Sequence, residues 1–445
     1  MKSTTSCRGP LLLALALSAT LSLTPSWADA SGDDESGAPP AGFEPPRGEI
    51  LLRDALAASL LGNPELSVFS TETRAREARA LQAGLLPNPE MDAEVEDFAG
   101  SGSRQGFRGA QTTLRLSQLL ELGGKRAKRR DAALLERDLA GWDFEAKRAT
   151  VLTETTRAFI GALSSQQRLA LARDLVGIAS ESLRAVGASI RAGASSPVER
   201  LRARVVVAEA KARERLLERE LRSSYHALAA SWGSTDVTFS SVRGDLEQLE
   251  APVPFESLLQ GVAANPDLAR WETEIQAREA QLSLARAGRI PDVRVGAGPR
   301  YYSDDDSAAA VVELSVPLPL FDRRQGEIGE ATQRLSKTRF ERASADVSIR
   351  SALARDYEAV RAAYEHALSL RDTILPDARE AYEAAGAAYA QGALRYVDVL
   401  DAQRTLFDLR DQYVESLANY QRALADVERL AGGATRPTLD PGAKP

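Results

Sequence analysis

Asp398 and Asp401 lie three residues apart just past Gly392, so a helix starting there carries both carboxylates on one face, where they can act on a cation together. The alternative for this pair is an exposed first turn enriched in acids by the helix dipole. A second acidic set has the strand period: Glu90, Asp92, Glu94 and Glu96 alternate with Met91, Ala93 and Val95, giving one acidic and one apolar face. Bond-making chemistry finds no support. The two histidines, His226 and His366, stand apart from any Cys, His or carboxylate cluster at ligand spacing and read as surface or packing residues, so neither a metal site nor a cofactor is expected. No nucleophile with a positioned base can be nominated, and Gly123-Gly124-Lys125 lacks the remaining glycine spacing of a phosphate loop. An enzyme is not expected.

The elements that must position these carboxylates come from a chain of 445 residues with 56 Lys plus Arg against 63 Asp plus Glu. The formal charge of -7 excludes a net-basic nucleic-acid binder. Lys2 and Arg8, the apolar run Leu11 to Leu23 and Ala28-Asp29-Ala30 read as a secretory signal peptide over 1–30. Cys7 is the one cysteine and falls in that segment, so the mature chain is expected to hold no disulfide and no thiolate site. Residues 31–48 read as a flexible leader and 433–445 as a flexible tail. Nothing after the leader approaches the ~20 apolar residues of a membrane helix.

The chain compares well with itself at an offset of 199 residues. Glu181 to Arg204 matches Glu380 to Gln403 with nine identities over 24 positions, Gly193 falling on Gly392, Val198 on Val397, Glu199 on Asp398 and Leu201 on Leu400. A tandem duplication follows, with a first repeat over 49–250 and a second over 251–432. Each begins with a helix interrupted by Asn-Pro (Asn63-Pro64, Asn265-Pro266), continues through two short alternating segments, and ends in a very long helical hairpin. No proline occurs between Pro89 and Pro197, and a helix from about Lys125 to Ala192 would be ~100 Å long. Pro376 sits at the repeat equivalent of Gly177, so both long helices are expected to bend or restart at that level.

The alternating segments form strand hairpins at about 88–118 and 290–318. Segments of this kind, apolar on one face and polar on the other, suit outer-membrane barrel strands, with Glu90, Asp92, Glu94 and Glu96 facing a water-filled lumen. Four strands cannot close a barrel in lipid, so several chains must share one. Three copies would supply about twelve strands and two about eight, and spacing does not choose between them. The competing reading is a soluble periplasmic coiled-coil adaptor or scaffold, with the sheet half-buried on a soluble core.

The run Gly392-Ala-Leu-Arg-Tyr-Val-Asp-Val-Leu-Asp-Ala-Gln403 and its partner copy Gly193 to Ala203 resemble the periplasmic tip motif of the TolC-like outer-membrane efflux channels. Pro87-Asn88-Pro89, Leu116-Ser117-Gln118, Glu121-Leu122-Gly123-Gly124-Lys125-Arg126 and Pro317-Leu318-Pro319-Leu320-Phe321-Asp322-Arg323 look most like the CzcC-like branch that serves heavy-metal exporters. The resemblance implies a mainly α fold with a β membrane part: long helical hairpins form an α-barrel, and four strands per chain join a shared transmembrane β-barrel. It implies a homotrimer in the outer membrane of a Gram-negative bacterium. The partners it implies are outer-membrane lipid, a periplasmic adaptor and an inner-membrane proton-driven pump of the resistance-nodulation-division type. Asp398 and Asp401 match the family's acidic gate positions, and Glu199 occupies the same place in the first repeat. Gly193, Val198, Leu201, Gly392, Val397 and Leu400 would form the adaptor-docking tip. The family's gating arginine has no clear counterpart, since Leu394 stands at its position with Arg395 beside it. The cargo is expected to be heavy-metal cations, with drugs or other small organic molecules as the alternative.

Overall fold

The computed structural model describes residues 43–191, 193 and 196–433. The expected signal peptide, the leader as far as residue 42 and the tail from 434 lie outside the described residues. The rest of the expected leader is not free. Phe43 packs on the main core cluster, Thr238 Oγ1 donates to the Pro46 carbonyl at 2.8 Å, and strand β1 (Gly48–Ile50) pairs in parallel with β4 (Phe239–Val242). These two strands come in addition to the four expected; runs of three and four residues are too short to show a period.

Helices α1 (Leu52–Gly62) and α2 (Pro64–Ala83) lead into strands β2 (Glu90–Glu96) and β3 (Gln111–Leu120), then α3 (Lys125–Arg191) and α4 (Pro197–Ala230). After β4 come α5 (Phe255–Gly261), α6 (Pro266–Ala287), strands β5 (Val293–Tyr302) and β6 (Ser307–Ser315), and helices α7 (Gln325–Ser369), α8 (Leu375–Ala390) and α9 (Tyr396–Leu430). The 67 residues of α3 give a rod of ~100 Å. No helix among the described residues is long and apolar enough to cross a membrane.

Asn63 and Asn265 show why the chain breaks where it does. Each side-chain oxygen caps the following helix, accepting from Glu65 N and Asp267 N at 2.8 Å. Each side-chain nitrogen reaches the end of a distant helix, Asn63 to the Ser231 carbonyl at 2.8 Å and Asn265 to those of Arg429 and Leu430 at 2.9 and 3.2 Å. One side chain thus satisfies orphan groups at two helix ends.

Buried residues recur every seven positions: Ala172, Ala179 and Val186 on α3, Ala203, Ala210 and Leu217 on α4, and Leu353, Val360 and Ala367 on α7. That repeat is the seam of a left-handed coiled coil, and its small residues let the helices approach closely. The larger side chains gather in two clusters, one around Phe159, Trp232, Phe239 and Leu417, the other around Leu258, Leu353, Tyr420 and Leu430.

The long helices differ at the expected breaker level. α3 runs unbroken through Gly177, whereas α7 gives way to a π-helical turn, Leu370–Ile374, before α8. Glycine costs a helix only about 1 kcal/mol. Pro376 lacks an N–H and its ring crowds the carbonyl four residues back, and the wider π turn makes room for it.

Candidate functional site

Strands β2-β3-β5-β6 form one antiparallel sheet in that order, leaving β2 and β6 as its edges within the chain. On one face Met91, Leu114, Leu116, Val295, Val312 and Leu314 lie in the open; Met91 is 73% and Val312 76% exposed. An apolar patch this continuous is a surface awaiting an apolar solvent.

The other face carries the acids expected from the sequence, and three arginines meet them. Arg294 pairs with Glu90, Arg300 Nη2 stands 3.3 Å from Glu96, and the Arg115 guanidinium lies 2.7 Å from Glu313 and 3.9 Å from Glu94. Arg300 also donates to Thr113 Oγ1 at 2.9 Å, and Ser117 Oγ to Asp92 Oδ2 at 3.3 Å. The β2 row is acidic as expected, and the whole face is a mixed ladder because β3 brings Arg115 and β5 brings Arg294 and Arg300. Arginines 115, 294 and 300 already stood at polar-face positions of the sequence pattern; their pairing needed the register Asp92↔Arg115 and Thr113↔Arg300, which alternation alone does not fix.

At the far end of the helices, Gly193 (φ 74°) and Gly392 (φ 76°) turn the chain in the left-handed region. Asp398 serves the fold directly: its Oδ2 accepts from the Arg395 backbone N–H at 3.1 Å, closing the first turn of α9. Asp401, one turn on, is exposed and has no ion pair among the described residues. Glu199 accepts from Tyr389 Oη at 3.2 Å, and Tyr396 Oη lies 2.8 Å from Ser182 Oγ, so two tyrosines tie α8 and α9 to α4 and α3. Burial pushes the Tyr396 hydroxyl pKa up, holding it neutral. The tyrosine ties escaped the sequence reading, since neither residue stands in a polar pattern.

The six expected docking residues divide. Val198 and Leu201 are 52% and 56% exposed, and both tip glycines are open on the side a Cβ would take. Leu400 instead packs against the cluster of Val186, Ala203 and Tyr396. Val397 and Leu400 also line a groove of about 320 Å³ between α4 and α9, together with Asp401, Arg213, Arg404 and Phe407. Among the described residues no group of three or more Asp, Glu, His or Cys could hold a metal ion. His226 Nδ1 donates to the Thr235 carbonyl at 3.3 Å, and His366 is exposed.

Long paired helices joined to a sheet with one open apolar face and one charged face are the build of an outer-membrane export component. The chain belongs to the outer membrane efflux protein family, whose profile matches it twice, over residues 55–234 and 260–433. It is 30% identical to the cobalt-zinc-cadmium resistance protein CzcC of Cupriavidus metallidurans, over 95% of this chain and 98% of that protein. The nickel-cobalt-cadmium resistance protein NccC of Alcaligenes xylosoxydans is 28% identical over 66% of this chain and 65% of its own length. A membrane protein from Pseudomonas aeruginosa shares the fold, with a TM-score of 0.75 at 22% identity, over 86% of this chain and 90% of that one. The protein is an outer-membrane efflux channel component.

Proposed function

We propose that this protein is the passive exit duct of a tripartite efflux system of the resistance-nodulation-division type, and that its cargo is divalent heavy-metal cations. In this reading three copies join their sheets into one barrel, a periplasmic adaptor docks at Val198, Leu201 and the two tip glycines, and an inner-membrane proton-driven pump supplies the cargo. The observation that carries it is the sheet: four strands with an open apolar face, a charged opposite face and two unpaired edges have no stable place except in lipid beside further copies. Likeness to CzcC over nearly the whole of both chains supports the metal cargo. The two matches to one profile support the two-repeat organisation, 49–250 and 251–432. Glu199, Asp398 and Asp401 would ring the periplasmic entrance and favour cations.

Two measurements test this. Asp305→Cys at the β5–β6 turn and Arg395→Cys at the helix tip, each labelled in intact cells with an impermeant maleimide, should differ: label at 305, none at 395 until the outer membrane is opened. A strain lacking the protein should lose resistance to Zn²⁺, Cd²⁺ or Co²⁺. Labelling at neither site would return the chain to the soluble periplasmic scaffold reading, and loss of solvent tolerance alone would make organic molecules the cargo.

A further inference from the structure

The polar face of the sheet holds five carboxylates, Glu90, Asp92, Glu94, Glu96 and Glu313, and three arginines, 115, 294 and 300. Two of the arginines sit beside one glutamate each. Arg115 stands between two, from opposite edges of the sheet: Glu94 on β2 and Glu313 on β6.

That convergence has been given room. Arg115 faces β5 where its residues are Gly296 and Gly298, and a Cβ on Gly296 would lie 3.3 Å from both Cγ and Cδ of the arginine stem. A Cβ on Gly298 would lie 1.9 Å from the Leu114 carbonyl oxygen, so β3 and β5 come together here as only glycine permits. With the middle of β5 bare, Glu313 meets the guanidinium over it. The side chain of Arg115 is only 18% exposed, and its Nε is buried 2.7 Å from Glu313 Oε2 with the N–H not aimed at the oxygen. The attraction is therefore one of charge more than of hydrogen-bond geometry.

Two carboxylates converging on one point in a water-filled passage would hold a divalent ion, which takes hard oxygen ligands and completes its shell with water. A duct must not do this to its own cargo, because conduction requires binding weak enough to release. We propose that Arg115 is a resident cation of the exit path: it fills the place between Glu94 and Glu313 that a cargo ion would otherwise take, and so keeps the barrel from binding what it passes. The remaining surplus of carboxylates on the face still attracts cations, without offering them a vacant pair. This inference rests on the duct reading above.

The test is single-channel current through purified protein in planar bilayers, with Cd²⁺ added. Wild type and Arg115→Lys should conduct with little block. Arg115→Gln, which keeps most of the stem over Gly296, should be half-blocked at a Cd²⁺ concentration at least about tenfold lower, and adding Glu313→Gln to it should restore wild-type behaviour. Equal Cd²⁺ sensitivity of wild type and Arg115→Gln would overturn the role of Arg115 while leaving the duct intact; wild-type protein that opens no channel would overturn the duct itself. Should Arg115→Gln fail to assemble, Glu313→Gln alone decides: with Arg115 left to one carboxylate the reversal potential moves toward anions, and an unchanged potential shows that the guanidinium does not face the ion path.

Discussion

At Asp398 and Asp401 the structure separates two roles that the sequence presents as one. Asp398 caps α9 and Asp401 caps nothing. Asp398→Asn, which keeps an acceptor for the Arg395 N–H, and Asp401→Ala should therefore leave the fold unchanged while weakening cation selectivity; reversal potentials measure the second, and unchanged values would remove both from the entrance. Asp398→Ala should in addition cost about 1 kcal/mol of helix stability. Tyr420 carries a prediction of pH. Its hydroxyl is buried and donates to the Glu250 carbonyl at 2.7 Å, and burial raises its pKa to about 12, against about 10 in an unfolded chain. The neutral form is the one the fold prefers, so this contribution is complete below about pH 10 and is lost as pH rises toward 12. Tyr420→Phe should unfold at lower denaturant near neutrality, by about 1 kcal/mol, and show less additional loss above pH 10; parallel alkaline profiles for the two proteins would deny the link. The acids were legible because carboxylates three apart, or alternating, form a pattern; the lone hydroxyls of Tyr389, Tyr396 and Tyr420 form none until the helices are packed.

Among elements, strands and helices were legible wherever a period runs for about two turns or more. The long helix from Lys125 was legible because prolines are missing there, although the break expected at Gly177 does not occur, whereas β1 and β4 are too short to announce themselves. The register of β3 on β5 was out of reach for another reason: it depends on Gly298, whose meaning lies in the strand beside it. Gly298→Ala should break the β3–β5 pairing, since the clash is with backbone, and the protein should then yield no folded oligomer on unheated gels. Gly392→Ala meets no neighbour and should cost only the left-handed strain, about 1–2 kcal/mol. Asn265 is 1% exposed, and Asn265→Ala strips a cap while leaving the carbonyls at the end of α9 unsatisfied. A loss of about 1–3 kcal/mol in urea unfolding is expected; a loss under a few tenths would mean that water replaces the amide.

For the whole molecule, the open apolar sheet face and the edges β2 and β6 are what the proposed shared barrel would cover and pair. Light scattering in mild detergent should give the mass of three chains, and a stable single-chain mass would count against a shared barrel. The sequence pointed to sharing by counting strands; it left the number of copies open because alternation records which face a side chain takes and nothing of how far a sheet curves. The open edges also bear on inheritance. If each barrel draws its wall from three copies, as proposed, a cell making equal amounts of sound and edge-damaged chain builds only about one barrel in eight from sound chains alone. Damage at β2 or β6 should therefore behave as a dominant trait, suppressing metal resistance in cells that still carry the intact gene, whereas a variant too unstable to reach its neighbours should be recessive.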